Sequence, residues 1–190
     1  DAIESGQIKS AQICAVISSQ EGAYALERAK KHGIKGIAIA RKGKKQAAFD
    51  AQLLAAIQAE NPDFIVLAGF LSILSKELVQ AYNNRIINIH PALIPSFCGQ
   101  GYYGLNVHQA AIDYGVKISG ATVHFVDEGT DTGAIILQKA VPVLPEDTAD
   151  DLQQRVLEVE HEILPKAVGL MAQGRLSIQG RKVMILEEEK

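Results

Sequence analysis

Arg85-Ile-Ile-Asn-Ile-His-Pro91 is the stretch on which the fold turns. It is β-branched and apolar on both faces until Asn88 and His90, and Pro91, which has no N–H to donate, closes it. Such a run belongs inside a parallel sheet covered on both sides. Upstream, Ile13-Cys-Ala-Val-Ile17, Ile37-Ala-Ile39 and Phe64-Ile-Val-Leu-Ala68 repeat the pattern, separated by helical segments from Ala23 to His32 and from Ala47 to Ala59. Gly33 ends a helix, Gly69 ends a strand, and Asn61-Pro-Asp63 cannot continue the helix before it. Downstream, a long irregular stretch rich in Pro and Gly precedes a short helix near Val107 to Tyr114. Ile118 to Val126 and Ala134 to Val143 then lie close enough to pair as an antiparallel hairpin. Asp147-Thr148 caps a final long helix whose buried stripe is Leu152, Val156, Val159 and Ile163, with a kink predicted at Pro165 and a stop at Gly174. The predicted class is α/β: a mostly parallel open sheet with helices on both faces, ending in an antiparallel hairpin and a long C-terminal helix.

The composition narrows the function. With 190 residues, 47% of them hydrophobic and a net charge of −3, the chain suits a single domain over 1–190 and excludes a disordered polyelectrolyte. No basic excess pays for counterion release, so nucleic-acid binding is set aside. The longest apolar run, Phe64 to Leu71, is too short for a bilayer span, which takes roughly 18–20 residues. Cys14 and Cys98 are far apart, which fits a reducing, cytoplasmic setting and excludes a thiolate metal cage. No spacing among the 5 histidines suggests a metal site. Asp1-Ala-Ile-Glu-Ser-Gly6 reads as the tail of a helix stopped by Gly6, so the domain opens part-way through its pattern. The terminal run from Glu187 to Lys190 reads as a solvated tail.

Three places could carry chemistry. On a strand, residues two apart share a face, so Asn88 and His90 emerge together at the carboxyl end, where open α/β sheets bind ligands. An amide beside an imidazole can hold a developing oxyanion and pass a proton; equally, the two could form a buried polar pair satisfied by backbone. Asp131 sits in Asp127-Glu-Gly-Thr-Asp-Thr-Gly133, a loop longer than an ordinary hairpin turn. If that loop docks beside the sheet end, the carboxylate favours an imidazolium; otherwise it is a turn aspartate. Glu160 continues the Leu152–Val156 row and leans towards the packed side of its helix, where paired sugar hydroxyls would satisfy it, although a solvated flank is an equal reading. His32 is assigned to a helix dipole, and His108, His124 and His161 to hydrogen-bonded structural roles.

Asn88-Ile-His-Pro-Ala-Leu-Ile-Pro95, with Val123-His-Phe-Val-Asp-Glu-Gly-Thr-Asp-Thr-Gly133 and Ile135-Ile-Leu-Gln138, closely resembles the folate-dependent formyltransferases, specifically the glycinamide ribonucleotide transformylases. The resemblance runs from about Ala2 to Lys182. It implies a Rossmann-like fold and formyl transfer from 10-formyltetrahydrofolate, as co-substrate and without a metal, to the amine of glycinamide ribonucleotide in purine biosynthesis. It assigns Asn88, His90 and Asp131 to catalysis. It assigns Leu71, Ser72, Ile73 and Leu74, together with Asn88, Asp127, Glu128, Gly129, Thr130 and Asp131, to the reduced folate. It assigns Leu157, Glu158, Val159 and Glu160 to the ribonucleotide, with Glu160 on the ribose hydroxyls. It is compatible with a monomer or a homodimer. Relative to the family pattern, the domain lacks its first strand and phosphate-binding loop. Arginines often seen near the folate align with Gln46 and Ser72, so Lys44 or Lys45 is expected at the folate tail. Phe97 to Leu105 is longer than in short-loop members. The competing expectations are a formyltetrahydrofolate hydrolase using the same trio on water, and a non-catalytic nucleotide-binding α/β module.

Overall fold

A computed structural model describes residues 1–187; the rest of the terminal charge run, 188–190, lies outside them. The chain opens on one turn closed by Ser5 N to Asp1 O and Gly6 N to Ile3 O, with Gly6 at φ 77°, as the helix-tail reading expects. The elements in order are β1 (Ala15–Ser18), α1 (Tyr24–Lys31), β2 (Lys35–Ala38), α2 (Gln46–Glu60), β3 (Ile65–Leu67), α3 (Lys76–Ala81) and β4 (Ile86–His90). These are followed by α4 (Leu105–Tyr114), β5 (Ile118–Phe125), β6 (Ile135–Pro142), α5 (Ala149–Ala172), β7 (Leu176–Gln179) and β8 (Lys182–Ile185).

Strands β1 and β2 pair in parallel with each other, and β3 pairs in parallel with β4. The expected hairpin forms: β5 runs antiparallel to both β4 and β6. The strands divide into a β1-β2 pair and a six-stranded sheet ordered β3-β4-β5-β6-β8-β7, where the sequence alone suggested one continuous sheet. Helix α2 ties the two together, because Phe49, Leu53 and Ile57 pack in one cluster with Ile17 and Ile37 from the pair and with Ile65, Leu67 and Ile86 from the larger sheet.

Alternation along β4 separates two cores. Ile86 faces α2 and α3, whereas Ile87 and Ile89 join Val123, Ile136 and the α5 stripe Leu152, Val156, Val159 and Ile163. Helix α5 starts at Thr148 with a reciprocal capping box to Asp151 and is pinned by Arg155, whose Nη1 and Nη2 donate to the Asp147 carboxylate at 2.5 and 2.8 Å. The helix runs on through Pro165 to Ala172, and Gly174 at φ 66° takes the left-handed turn that follows. Among the described residues no helix is long and apolar enough to cross a membrane.

Candidate active site

Strand pairing assembles the site. In the β4–β5 register Asn88 stands opposite His124 and His90 opposite Thr122, so all four side chains share one face. Both histidines and Thr122 are buried. Thr122 Oγ1 donates to Ala92 O at 2.6 Å, and it accepts from Ile94 N at 3.1 Å and from Gln138 Nε2 at 3.0 Å. These bonds fix the loop that leaves β4, so the imidazole of His90 stands on a rigid support.

Asp131 reaches this face from the β5–β6 loop. It adopts φ 57°, left-handed backbone that aspartate tolerates better than most residues. Gly133 lets the loop fold tightly, since a Cβ there would sit 1.8 Å from Phe125 O. One carboxylate oxygen, Oδ2, lies 3.6 Å from His90 Nδ1 and accepts from Gly99 N at 2.9 Å. The other, Oδ1, lies 3.6 Å from His124 Nε2. The second ring nitrogen of His90, Nε2, donates to Phe97 O at 2.8 Å. Asn88, His90 and Asp131 therefore converge, as the sequence suggested.

His124 is a member that sequence reasoning missed. Its Nδ1 donates to Phe125 O at 2.8 Å, which leaves Nε2 to accept from Asn88 Nδ2 at 3.2 Å. Burial holds this ring below the usual histidine range, with the Phe125 carbonyl and Asp131 pulling the other way, so it stays neutral and serves as an acceptor. One amide hydrogen of Asn88 is thereby committed to His124, and the other meets no acceptor among the described residues. The only clue in the sequence was the two-residue period of β5, which core residues share.

The remaining histidines differ from expectation. His32 does not act through a helix dipole alone: its ring meets Glu4 Oε1 at 2.6 Å and Asp1 Oδ1 at 3.4 Å in an exposed ion-pair cluster. His108 is buried with Nδ1 unpartnered, and burial, aided by the charge of His90, pushes it down to about 4, so a fully hydrogen-bonded role is not what the structure shows. His161 is exposed.

The proposed folate segment borders a cavity of about 470 Å³. Leu71, Ile73 and Leu74 form its apolar side, and its charged lining is Arg41 and Lys76 with one carboxylate, Asp50. Lys44 and Lys45, the cations expected at the folate tail, do not line it; Lys44 instead donates to Gln52. Arg41 reaches in because α2 begins beside it, with Nη2 donating to Gln46 Oε1 at 2.7 Å. Glu128, on the exposed part of the hairpin loop, accepts from Gln80 at 2.8 Å and pairs with Lys76 at 3.3 Å, linking the loop to α3. Its neighbour Asp127 accepts from Gly129 N and braces the turn. A second cavity, of about 310 Å³, lies between Asn84, Phe125, Met171, Leu176 and Ile178 and has no titratable lining.

Glu160 is the residue that the structure leaves apart. It sits half-buried on α5, and no hydrogen bond or ion pair among the described residues links it to the trio. Burial pushes its carboxyl up to about 7. Of its neighbours, Val159 belongs to the core, while Leu157 and Glu158 are exposed.

The fold has counterparts among known proteins. Glycinamide ribonucleotide transformylase 1 from Symbiobacterium toebii superposes with a TM-score of 0.91 at 43% identity, over 98% of this chain and 86% of that one. A formyltetrahydrofolate deformylase from Pseudomonas syringae pv. tomato superposes at 0.88 with 26% identity, over 98% of this chain and 60% of that one. The trifunctional purine biosynthetic protein adenosine-3 of Drosophila melanogaster is 42% identical over 172 residues, and the match spans 90% of this chain but only 12% of that much longer protein. The formyl transferase profile itself matches residues 1–168, which takes in β4, the hairpin and most of α5, so the chain belongs to the formyl transferase family.

Proposed function

We propose that this chain transfers the formyl group of 10-formyltetrahydrofolate to the primary amine of glycinamide ribonucleotide, a step of purine biosynthesis, in the reducing cytoplasm that its two free cysteines suit. The observation that carries the reading is the convergence of an amide, an imidazole and a carboxylate at one sheet end. The amine attacks the formyl carbon and a tetrahedral oxyanion forms. The second amide hydrogen of Asn88 and the Nδ1 hydrogen of His90, on the ring nitrogen that faces Asp131, are the donors for that oxygen. Asp131, 3.6 Å from His90 Nδ1, balances the charge of the ring and helps carry the proton lost by the amine. The intermediate then collapses: the bond from carbon to folate nitrogen breaks, and that nitrogen takes the proton.

The cavity at Leu71–Leu74, with Arg41 and Lys76, accommodates the folate, whose carboxylates face those cations. Asp127 to Asp131 supply the backbone side of the pterin site. Leu157 to Glu160 present Glu160 to the ribose hydroxyls, which would satisfy a half-buried carboxylate that has no hydrogen-bond or ion-pair partner among the described residues. A hydrolase is the second reading, favoured by the deformylase superposition. The two differ in the acceptor. With a donor carrying ¹³C in its formyl group, mass spectrometry should find the label on the ribonucleotide. Label only in free formate, at a rate indifferent to the ribonucleotide, would assign the site to hydrolysis.

A further inference from the structure

A single row of residues crosses three strands at the catalytic end. The register places His90 of β4 opposite Thr122 of β5 and Thr122 opposite Gln138 of β6, so the three side chains stand on one face. Gln138 is an exposed residue, but its amide reaches inward: Nε2 donates to the buried Thr122 hydroxyl and to Ile94 O, both at 3.0 Å. That hydroxyl has one hydrogen and two lone pairs, and all are engaged. Gln138 and Ile94 N donate to it, which sends its hydrogen to Ala92 O at 2.6 Å. Gln138 therefore sets the direction of the hydroxyl and holds the Ile94 carbonyl as well. From there the chain turns at once, with Ser96 N donating to Leu93 O at 2.9 Å, and Phe97 O follows to accept from His90 Nε2 at 2.8 Å. A carbonyl can only accept, so His90 keeps a hydrogen on Nε2 and exchanges protons at Nδ1, the nitrogen 3.6 Å from Asp131.

We propose that Gln138 is a positioning residue for the transfer: by anchoring residues 92–94 it sets the Phe97 carbonyl on His90 Nε2 and so decides that Nδ1 is the nitrogen that works. The inference rests on the formyl-transfer reading, in which Nδ1 meets the oxyanion. Without the anchor the carbonyl no longer pins Nε2, and the Asp131 carboxylate draws the single hydrogen of a neutral ring to Nδ1. A ring of that form has no lone pair at Nδ1 to take the proton that the amine loses.

Two substitutions at this exposed position test it. Gln138→Met keeps the length and removes both donations. Gln138→Glu sets an acceptor beside the Ile94 carbonyl, so at neutral pH the Thr122 hydroxyl turns towards the new carboxylate and releases Ala92 O. In steady-state formyl transfer kcat should fall by about tenfold in the first and by about 30-fold or more in the second, with KM for both substrates within about threefold. Protonation returns one donor to the Glu variant. Its kcat relative to the unaltered protein should therefore rise by about threefold or more between about pH 7 and about pH 5, while the ratio for the Met variant stays flat. The second readout does not depend on turnover. In protein carrying ¹⁵N-histidine, with the His90 signals identified by their loss in His90→Ala, the neutral ring should bear its hydrogen on Nε2 in the unaltered protein and chiefly on Nδ1 in Gln138→Met. Values of kcat within about twofold of the unaltered protein in both variants overturn the assignment, even where the melting temperature drops, which is all that an amide serving only the fold would do. So does a fall in kcat with His90 still protonated on Nε2 alone, and in either case transfer by the unaltered protein leaves the formyl-transfer reading standing. If the unaltered protein formylates no ribonucleotide, that reading falls, and the tautomer by itself decides whether Gln138 governs the ring.

Discussion

The β4–β5 face and the rim of the Leu71–Leu74 cavity are two halves of one proposed site built on opposite terms. On the first, His90, Thr122 and His124 are buried, and hydrogen bonds run from Asn88 to His124 and from Thr122 to the loop after β4. On the second, Leu71 and Ile73 are 65% and 70% exposed, and the polar ties are surface contacts such as Arg41 to Gln46. Chemistry needs groups held to a fraction of an ångström, and a paired, buried ladder supplies that. Binding tolerates an open, apolar rim with a few cations. The contrast implies that changes on the first face cost turnover, whereas changes on the second cost affinity.

The sharpest way to break that division is His90→Ala. Losing the donor to the oxyanion and the proton carrier should lower kcat by roughly 100- to 10,000-fold, with folate affinity within about threefold, in steady-state assays and difference spectroscopy. A comparable loss of affinity would dissolve the distinction. His124→Phe tests whether a residue that never meets substrate belongs to the same half. Asn88 keeps its amide but loses the acceptor that aims it, so kcat should fall by up to about 100-fold and KM should stay put.

Glu160 gives a pH signature of its own. Its carboxyl, raised by burial to about 7, keeps a proton in the folded chain over a range where the unfolded chain has lost it. The folded state binds more protons there, so stability falls as pH rises from about 4.5 to about 7, by on the order of 1–2 kcal/mol after screening. Glu160→Gln should flatten that decline in melts taken at pH 5 and pH 8. In kinetics the sign reverses: only the carboxylate accepts two hydroxyls, so KM for the ribonucleotide should rise by up to about fivefold between pH 7 and pH 6, and the Gln variant should lose that dependence. Arg41→Ala brings the smallest effect expected, a rise of about two- to fivefold in folate KM at low salt that shrinks as salt is added, with kcat unchanged.

The same contrast separates what the sequence discloses from what it withholds. Period-two alternation put Asn88 and His90 on one face, the β5–β6 hairpin followed from two neighbouring apolar runs, and Thr148 announced α5. Each of these is local, and local patterns are legible. Helix α3 escaped notice because six residues, Lys76–Ala81, are too few for a helical stripe, although Ser75 caps it. The β7–β8 hairpin was hidden by short strands around Gly180. His124 became visible only through the cross-strand register, which no single strand encodes. Arg41 and Lys76 displaced Lys44 and Lys45 at the cavity because α2 and α3 approach one another in space, a tertiary fact. The grip of Phe97 on His90 is likewise tertiary: from sequence that segment was only a long loop.

The most direct measurement is single-turnover formyl transfer by Asp131→Asn, an isosteric change that keeps an oxygen for Gly99 N and removes the charge 3.6 Å from His90 Nδ1. The rate of appearance of formylated ribonucleotide should drop by about 100-fold or more while the donor binds as before. A rate within tenfold of the unaltered protein would contradict the assignment of the carboxylate to the chemistry.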